Sequence, residues 1–542
     1  MKHTCLFIIL LFSIITISVA QKTNIKIKWG DLTRGNKGSF VEKIIAGNNG
    51  DFYVKRVKES SITSFNVADK DKVRYTIQKY NDKLKKIATI DLHKVLKGKQ
   101  ENIEDIFWHH NKLLMLTQHL NRSEKKYQLI IRKISADALS LKGDKQVFKE
   151  IDYDWTLGKP TLDYRISKDS TKLMLLYNLP NKRNNEEKIG YTILNKNLKK
   201  ITERTLTIPI KDRFFEIEGY EVANSGEMVI WGSEFFNSNK TLTIIGKPNF
   251  QTCIFYTHPK KPDQLKQVTL KDEKLFINQM EMAFTNSNQL IGVGYYSEED
   301  TESLKGTIYV KINKKEATLI MQQKNELSID ALTEGLSEAE GKRLKKRQTT
   351  GKSAELSNFV VDQLLLREDG GAILIAEEYF ESNYSRNGTG FYAGPFGTNQ
   401  RETVTNYHHN DILIINLNPN GKIDWTKKIT KKQNSIDGGY YSSYKPAIIY
   451  DKLYLFYNDH AKNLFKENTD KKDRTYDLLL NNDAVFVMSV ITPKGNLKKV
   501  KLFRAGESEV YMRPQTIQQV SANEILIYGD KQRKIRFGKI VF

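Results

Sequence analysis

Residues 169–177 read DSTKLMLLY, a polar turn followed by an unbroken run of apolar residues. A turn of this kind followed by an apolar run recurs eight times, which indicates one repeated unit. Long amphipathic helical patterns are almost absent, so the unit is predicted to be β-structure. The eight instances are NNGDFYV from Asn48, NKLLMLT from Asn111, DSTKLMLLY from Asp169, NSGEMVIWG from Asn224, NSNQLIGVGYY from Asn286, EDGGAILIAEEYF from Glu368, YDKLYLFYN from Tyr450 and ANEILIYG from Ala522.

Most of these runs are followed by a second strand of alternating character, as in YQLIIRKI from Tyr127. One small sheet leaves its apolar surface wet, so similar sheets are expected to stack side by side in a circle. The sequence therefore predicts an all-β fold, a single β-propeller of about eight blades. Seven blades, or two separate β domains, are the alternatives. Inner and middle strands should be continuously apolar, and outer strands more charged.

The two ends of the chain indicate how the ring closes. The strand NIKIKWG from Asn24 has no complete unit around it, while the segment from Ala522 to Phe542 supplies two strands. We expect the N-terminal strand to complete the last blade, which removes the open edge between the first and last units.

Residues 1–20, MKHTCLFIILLFSIITISVA, have the pattern of a secretory signal peptide cleaved after Ala20. Residues 21–542 are then the propeller domain. Gln21 rather than a cysteine follows the cleavage position, so no lipid anchor is expected. The mature chain keeps only Cys253, which excludes an internal disulfide. We expect an exported protein in the periplasm, at the outer-membrane periphery or outside the cell, without a membrane-spanning segment.

The chain carries 86 Lys and Arg against 64 Asp and Glu, a formal net charge of +22. Such a surplus is typical of nucleic-acid-binding proteins, but the lysines are spread over nearly every segment and the protein is expected to be exported. We therefore expect no nucleic-acid partner. A general attraction to anionic surfaces remains.

One segment departs from the repeat by its helical spacing. Residues 326–353, ELSIDALTEGLSEAEGKRLKKRQTTGKS, place Ile329, Leu332, Leu336 and Ala339 at helical spacing, and the position of Arg343 is compatible with that spacing. We predict a single helical insertion, which either packs on the rim of the ring or docks an acidic partner or anionic headgroups. The candidate docking residues are Lys342, Arg343, Lys345, Lys346 and Arg347.

A second departure is a long excursion over residues 378–409, in which aromatic residues alternate with Gly and Asn. Loops of this length are usually functional or disordered, and the aromatic content argues against disorder. Together with GGYYSSYK from Gly438 it is expected to form one aromatic surface for a protein or glycan, or to fold back over the ring. The candidate binding residues are Tyr379, Phe380, Tyr384, Phe391, Tyr392, Phe396, Tyr407, Tyr440, Tyr441 and Tyr444.

Motifs with a catalytic mechanism are missing from the sequence, including the nucleophile elbow, the phosphate-binding loop and the zinc-protease motif. We predict no catalytic residue, no metal site and no cofactor. Adjacent histidines on a strand point to opposite faces, so neither histidine pair is expected to chelate a metal. The polar residues considered only in this generic sense are His109, His110, His408, His409, Asp459, His460, Glu377 and Glu378.

Two stretches carry a resemblance to known proteins. ISKDSTKLMLLY from Ile166 is similar to the strand signature of TolB-like and WD40-like propellers, and DILIINLNPNGKIDWTKKI from Asp411 resembles bacterial secreted propeller repeats. The export signal and the lysine-rich composition are similar to those of uncharacterised exported proteins of Bacteroidota-type bacteria. This resemblance implies a cell-envelope setting and brings no catalytic residue with it.

Two functions remain open from the sequence. The first is a non-enzymatic exported propeller that binds an envelope protein or glycan as a binding or scaffold protein, including a periplasmic subunit of an outer-membrane assembly. The second is a glycan-binding or glycan-active protein that uses the aromatic loops and carboxylates of a central pocket.

Overall fold

The computed structural model describes residues 25–59, 73–96, 101–141, 145–154, 156, 158–179, 184–258, 261–270, 272, 274–300, 303–387, 401–465 and 475–542. The predicted signal peptide, residues 1–20, lies outside these described residues. The described chain forms eight antiparallel sheets in chain order, each with a core of four strands. Innermost strands of neighbouring blades contact one another around a central channel, as in a propeller.

The first two strands, β1 (Lys26–Trp29) and β2 (Thr33–Arg34), precede the first blade. From the centre outwards, blade 1 consists of β3 (Ser39–Ala46), β4 (Phe52–Glu59), β5 (Val73–Tyr80) and β6 (Lys86–Asp91), and blade 2 of β7 (Glu101–His109), β8 (Lys112–Asn121), β9 (Lys126–Ile134) and β10 (Lys145–Asp152). Blade 3 consists of β11 (Leu162–Ile166), β12 (Lys172–Asn178), β13 (Glu186–Asn195) and β14 (Lys200–Lys211). Blade 4 consists of β15 (Phe215–Val222), β16 (Met228–Phe235), β19 (Phe250–His258) and β20 (Lys261–Leu270). A ribbon of β17 (Thr243–Ile244) and β18 (Lys247–Pro248) lies between β16 and β19.

The second half of the ring follows the same order. From the centre outwards, blade 5 consists of β21 (Phe276–Phe284), β22 (Leu290–Ser297), β24 (Gly306–Asn313) and β25 (Thr318–Glu326), and blade 6 of β27 (Phe359–Leu366), β28 (Ala372–Asn387), β29 (Arg401–Leu417) and β30 (Ile423–Ile429). Blade 7 consists of β32 (Tyr444–Ile449), β33 (Lys452–Asp459), β34 (Val485–Ile491) and β35 (Leu497–Arg504). Blade 8 consists of β37 (Gln518–Ser521), β38 (Glu524–Lys531), β39 (Lys534–Val541) and β1. The short elements are β23 (Ser303–Leu304), β26 (Leu356–Ser357), β31 (Asn434–Ser435), β36 (Tyr511–Met512), α1 (Leu92–Leu96), α2 (Ile329–Thr333), α3 (Glu338–Thr349), α4 (Ala505–Ser508) and the 3-10 turns Asp212–Phe214, Ala461–Phe465 and Pro514–Thr516.

Apolar contacts between neighbouring blades form the core. Eight of the clusters of buried side chains among the described residues each join one blade to the next, and together they run around the whole circle. The middle strands are buried on both faces for this reason; Leu173–Tyr177 of β12 is buried without a break. The outer strand β25 alternates between exposed and half-buried positions. The predicted burial of the middle strands and exposure of the outer strands are confirmed. The prediction that the innermost strands are buried in the same way is wrong: β27 is mostly half-buried and exposes Asp362, because an innermost strand borders the channel.

Ring closure by the N-terminal strand is confirmed. β1 pairs antiparallel with β39, from Lys26 opposite Val541 to Trp29 opposite Gly538. The Trp29 indole packs edge-on against Phe503, with 4.9 Å between ring centroids. An added Cβ at Gly538 would lie 2.8 Å from the indole, so this position requires glycine. Residues from both chain ends therefore complete the eighth blade.

The helical insertion consists of two helices rather than the single helix predicted over residues 326–353. α2 and α3 are separated by Gly335, whose φ of +72° suits glycine, and by Ser337, which caps α3 in a capping box with Glu340. Leu332 and Leu344 are buried against the cluster between blades 5 and 6. Within the described chain, no helix is long and apolar enough to cross a bilayer.

One end of the ring collects the long connections. In a four-stranded antiparallel blade, the link between the second and third strands and the link to the next blade leave from the same end, which we name the upper face. It carries α2 and α3, the ribbon of blade 4 and the segment 430–443 between blades 6 and 7. The excursion over residues 378–409 is also there, and its described part is not a loop: β28 and β29 continue into it as a paired ribbon.

Trp29→Ala tests ring closure. We expect it to lower the free energy of unfolding by about 2 kcal/mol, because a large side chain leaves the seam between blades 7 and 8. Lys28→Ser, at an exposed position of the same strand, is the matched control. Urea unfolding followed by circular dichroism measures both variants, and an unchanged midpoint for Trp29→Ala would show that β1 does not close the ring.

Candidate functional site

An extended hairpin of blade 6 stands on the upper face, and its described strands cover residues 378–387 and 401–409. Its strands pair from Tyr379 opposite His409 up to Asn387 opposite Arg401. Near the base, the Phe380 ring stacks on His408 with 4.2 Å between ring centroids, and the Tyr379 ring lies 4.8 Å from His409. These aromatic residues therefore stabilise the lower part of the hairpin by cross-strand contacts.

The hairpin base is joined to the segment that leads into blade 7. Short strand β31 pairs with β29, so that Tyr407 lies opposite Ser435 and His408 opposite Asn434. Gly439, with a φ of +74°, lies against His409; an added Cβ there would be 2.8 Å from the imidazole Nε2. The structure thus brings the two predicted aromatic segments onto adjoining parts of one face.

A buried carboxylate holds this junction together. Glu377 is 2% exposed and lies where β28 leaves the blade. Its Oε2 lies 2.8 Å from His409 Nδ1 and accepts a hydrogen bond from Ser443 Oγ at 2.7 Å. Its Oε1 accepts a hydrogen bond from Lys431 Nζ at 2.6 Å. Burial alone would raise the pKa of Glu377, but the Lys431 ammonium and His409 outweigh burial and hold the pKa below its usual range.

Lys431 has three acceptors for its three protons. Besides Glu377, its Nζ donates to the His409 carbonyl oxygen at 2.8 Å and to Gln433 Oε1 at 3.0 Å. The side chain is fully buried. A buried ammonium whose donors are all used is a structural group, because breaking the pair would leave an uncompensated charge. We therefore interpret the Glu377 network, formed by Glu377, His409, Lys431, Gln433 and Ser443, as the rigid foundation of the hairpin.

The predicted aromatic binding residues differ in their exposure to solvent. Tyr384 and Tyr440 are 47% and 43% exposed. Tyr441 is half-buried and donates from its hydroxyl to Asp530 Oδ1 at 2.8 Å. Tyr444 was predicted to belong to the binding surface, which is wrong: it is 3% exposed and packs in the cluster between blades 6 and 7. The reason is that Tyr444 begins the innermost strand of blade 7.

Three predicted binding residues, Phe391, Tyr392 and Phe396, lie outside the described residues. Tyr407 is described and half-buried in the middle part of the hairpin. The Tyr440 ring lies under the Arg513 guanidinium, 4.9 Å from the ring centroid. Tyr440 thus faces blade 8 rather than the hairpin.

The basic residues of α3 are mostly at the surface. Lys342, Arg343, Lys345 and Lys346 are exposed, and the neighbouring Leu344 is buried. Lys342 Nζ lies 2.6 Å from a carboxylate oxygen of Glu338, one helical turn away. The other three exposed side chains, Arg343, Lys345 and Lys346, give α3 a basic outer face.

A second polar region lines the central channel, and the sequence reasoning did not identify it. In five blades the innermost strand has a β-bulge at its fourth residue, and that residue is acidic in four blades and Gln in one. A bulge leaves the extra residue out of the ladder and re-aims its side chain. These fourth residues, which we name the channel ring, are Glu42, Glu104, Glu218, Gln279 and Asp362.

The two sides of the channel differ in charge balance. On the side of blades 1 and 2, Glu42 lies 3.0 Å from Lys55 and Glu104 lies 2.5 Å from Lys159. On the side of blades 3 to 5, burial and then the carboxylates of Glu218 and Glu221 raise the pKa of Glu281, against the opposing effect of Arg165.

Asp362 of the channel ring lies close to Glu377 of the hairpin foundation. Its side chain reaches channel solvent but is surrounded by protein, and burial followed by the Glu377 carboxylate raises the pKa of Asp362 to about 7. The hydroxyl of Tyr295, buried nearby, has no hydrogen-bond partner among the described residues. At neutral pH the Asp362 carboxyl is therefore divided between its two protonation states.

Two of the remaining polar candidates, His109 and Asp459, are structural. His109 is 1% exposed, and burial lowers the pKa of its imidazole to about 4, so it is a neutral core residue. Asp459 is fully buried and accepts a hydrogen bond from Asn463 Nδ2 at 2.7 Å. In the described ranges, no group of three or more His, Cys, Asp or Glu side chains could hold a metal ion. Cys253 is buried, and burial raises the pKa of its thiol to about 12.

The sequence contained a signal for the channel ring. In the innermost strand of five blades, the channel-ring residue directly follows an apolar residue or an asparagine. Examples are FVE ending at Glu42, EIE ending at Glu218 and VVD ending at Asp362. Lys431 and Ser443 had no such signal, because their partners come from strands far away in the chain.

Comparisons with known proteins add nothing to the fold or the function derived from the structure. The chain matches no protein-family model and no curated protein sequence. Solved structures similar to it include prolyl oligopeptidase B from Galerina marginata (10% identity, TM-score 0.34, 77% of this chain and 46% of that chain). They also include Kuenenia stuttgartiensis hydrazine synthase (8% identity, TM-score 0.30, 70% of this chain and 92% of that chain). A third is a Synechocystis apocarotenoid oxygenase mutant (8% identity, TM-score 0.31, 75% of this chain and 94% of that chain). The chain thus spans about half the length of the peptidase, and these low TM-scores carry no argument about activity.

Asp362→Asn tests the charge at the junction of channel and hairpin. Because the pKa is raised on folding, the folded protein holds this proton more tightly than the unfolded chain, and stability falls as pH rises toward about 7. We expect the variant to be more stable than the wild type well above that pH, and the difference to shrink in acid.

Urea unfolding on both sides of the Asp362 pKa measures this effect. Asp451→Asn, in an exposed turn of blade 7, is the matched control. A stability difference that does not change with pH would contradict the assignment of this titration to Asp362.

Proposed function

We propose that this protein is a non-enzymatic binding or scaffold protein that holds a macromolecular partner at the cell envelope with its upper face. A β-propeller supports binding and scaffold roles in general, since its rigid ring presents many connections on one face. The observation that carries the proposal is the extended hairpin of blade 6 on its buried foundation.

The contacts at the hairpin base favour recognition over a covering role. The stacked rings near the base and the hydrogen-bonded carboxylate of Glu377 order the lower part of the ribbon, which reduces the entropy cost of binding. Tyr384, at 47% exposed, lies higher on the paired strands. Tyrosine supplies a large contact area with few rotatable bonds, as in many binding surfaces.

The envelope setting rests on the sequence. Residues 1–20 have the pattern of an export signal, and the repeats resemble those of exported bacterial propellers. We propose that the mature protein resides in the periplasm or at the outer-membrane periphery, where it serves as a subunit of an outer-membrane assembly or is released outside the cell.

The hairpin can be removed without touching its foundation. In the test variant, an Asn-Gly turn replaces residues 382–406 and joins Glu381 to Tyr407, which already lie opposite each other. The immobilised mature protein is exposed to a solubilised envelope extract, and the proteins it retains are compared. We expect the wild type to retain a specific partner and the shortened variant to lose most of it, because the exposed contact area is gone.

Two controls define the result. The melting temperature of the shortened variant should match that of the wild type, since the Glu377 network is intact. Lys345→Ser combined with Lys346→Ser leaves the hairpin unchanged and removes two exposed charges of α3. Full retention of the partner by the shortened protein would disprove the proposal, and loss only in the lysine variant would move the contact to α3.

A second candidate function is favoured by the acidic side of the channel. The carboxylates of Glu218 and Glu221 lie close enough to Glu281 to raise the pKa of its carboxyl, and burial raises the pKa of each of the three. Carboxylates with raised pKa can act as general acids on glycosidic bonds, and the same groups can bind sugar hydroxyls.

Glu218→Gln tests this second candidate. If the protein binds or cleaves a glycan through the channel, we expect a loss of at least about tenfold in that activity, since the acid or its hydrogen bond is removed. Glu42→Gln, on the lysine-balanced side of the same channel ring, is the matched control. Binding to an envelope glycan array that neither variant changes would exclude the channel.

A further inference from the structure

The connection between β16 and β19 of blade 4 exposes an apolar tip on the upper face. Ile245 is 96% exposed, and Ile244 and Leu242 are 47% and 45% exposed. Single apolar side chains at a surface are ordinary. Three of them within four consecutive positions at the end of one hairpin form an apolar patch, and such patches mark interaction sites. We name residues 236–249 the blade 4 hairpin.

This hairpin is rigid at its base. The Asn249 backbone N–H donates to the Leu242 carbonyl oxygen at 3.0 Å, and the Asn249 side-chain Nδ2 donates to the Thr241 carbonyl oxygen at 2.7 Å. Lys240 Nζ donates to the Phe215 carbonyl oxygen at 2.7 Å. Below these contacts, the rings of Phe235, Phe250 and Phe276 form a buried cluster. The apolar side chains at the tip are therefore held away from the blade.

The turn itself is made with an unfavourable residue. Ile245 has a φ of +50° and Gly246 a φ of +69°, and both lie between the paired residues Ile244 and Lys247. Positive φ at both central positions defines a type I′ turn, for which Asn-Gly is the preferred sequence. A β-branched residue in this region is strained, and such strain is concentrated at functional sites. The chain thus places isoleucine where asparagine would fold better.

Charge identifies the partner that fits the tip. The blade 4 hairpin carries two lysines, Lys240 and Lys247, and no acidic residue, and the whole chain carries a net charge of +22. Lys247 is exposed next to the tip. A convex apolar tip with an adjacent ammonium matches the boundary between acyl chains and anionic headgroups, where lysine stays with the phosphates. A protein partner would instead need a pocket of matching shape.

We propose that the blade 4 hairpin inserts Leu242, Ile244 and Ile245 into the surface of an anionic phospholipid bilayer, with Lys247 among the headgroups. The upper face then lies toward the membrane. This proposal is independent of the partner that the blade 6 hairpin binds, because the two hairpins belong to different blades and carry different side chains.

Vesicle binding of the full mature chain tests the proposal. The probes are vesicles of phosphatidylglycerol mixed with phosphatidylcholine, and vesicles of phosphatidylcholine alone, in a sedimentation assay. We expect the protein to bind the mixed vesicles and to bind phosphatidylcholine alone weakly. Ile245→Asn should lower the affinity for mixed vesicles about tenfold, because one aliphatic side chain no longer enters the bilayer.

The same substitution should move stability in the opposite direction. Ile245→Asn creates the preferred Asn-Gly turn, so we expect a higher unfolding midpoint together with weaker vesicle binding. Ile320→Asn is the matched control, since Ile320 is 56% exposed on the outer strand β25. It should leave vesicle binding unchanged. Leu242→Ser, which does not alter the turn residues, provides a second measure of insertion.

Three outcomes would overturn the proposal. The first is a wild-type protein that does not bind the mixed vesicles. The second is full vesicle binding by both Ile245→Asn and Leu242→Ser, which would show attraction by charge alone. The third is self-association without vesicle binding, abolished by Ile245→Asn, which would assign the tip to a second copy of the chain.

Discussion

Burial of apolar surface between neighbouring blades is the interaction on which the structure depends. Each blade is covered only by the next one, and the clusters that join them run around the circle without a gap. The pairing of β1 with β39 completes the last of these contacts. Since the described chain contains no disulfide, its Cys253 being a free thiol, this burial is the main source of stability.

The same constraint determines where polar chemistry can occur. Middle strands are buried on both faces, so polar groups are left to the outer strands, the two faces of the ring and the channel. The bulges in five of the innermost strands re-aim one side chain each, which explains why acids such as Glu218 and Asp362 can be placed beside apolar strands. Raised pKa values follow because protein surrounds these carboxyls.

The upper face combines two hairpins built on different principles. The blade 6 hairpin continues two core strands and is fixed by a buried ion pair between Glu377 and Lys431. The blade 4 hairpin is a separate ribbon fixed by Asn249 and carries a strained apolar turn at Ile245. A charged and aromatic ribbon suits a macromolecular partner, whereas the apolar tip suits a lipid surface. Both proposals therefore concern the same side of the ring.

The sequence by itself determined the all-β class, the repeated unit and the closing strand, because hydrophobic periodicity is local and each unit repeats it, while it left the choice between eight and seven blades to the structure. It also located the hairpin of blade 6 and the helical insertion. Only the tertiary structure decided that Tyr444 is core, that α2 and α3 are two helices, and that Lys431 and Ser443 bind Glu377. Those outcomes depend on contacts between residues far apart in the chain, and hydrophobic periodicity carries no information about such contacts.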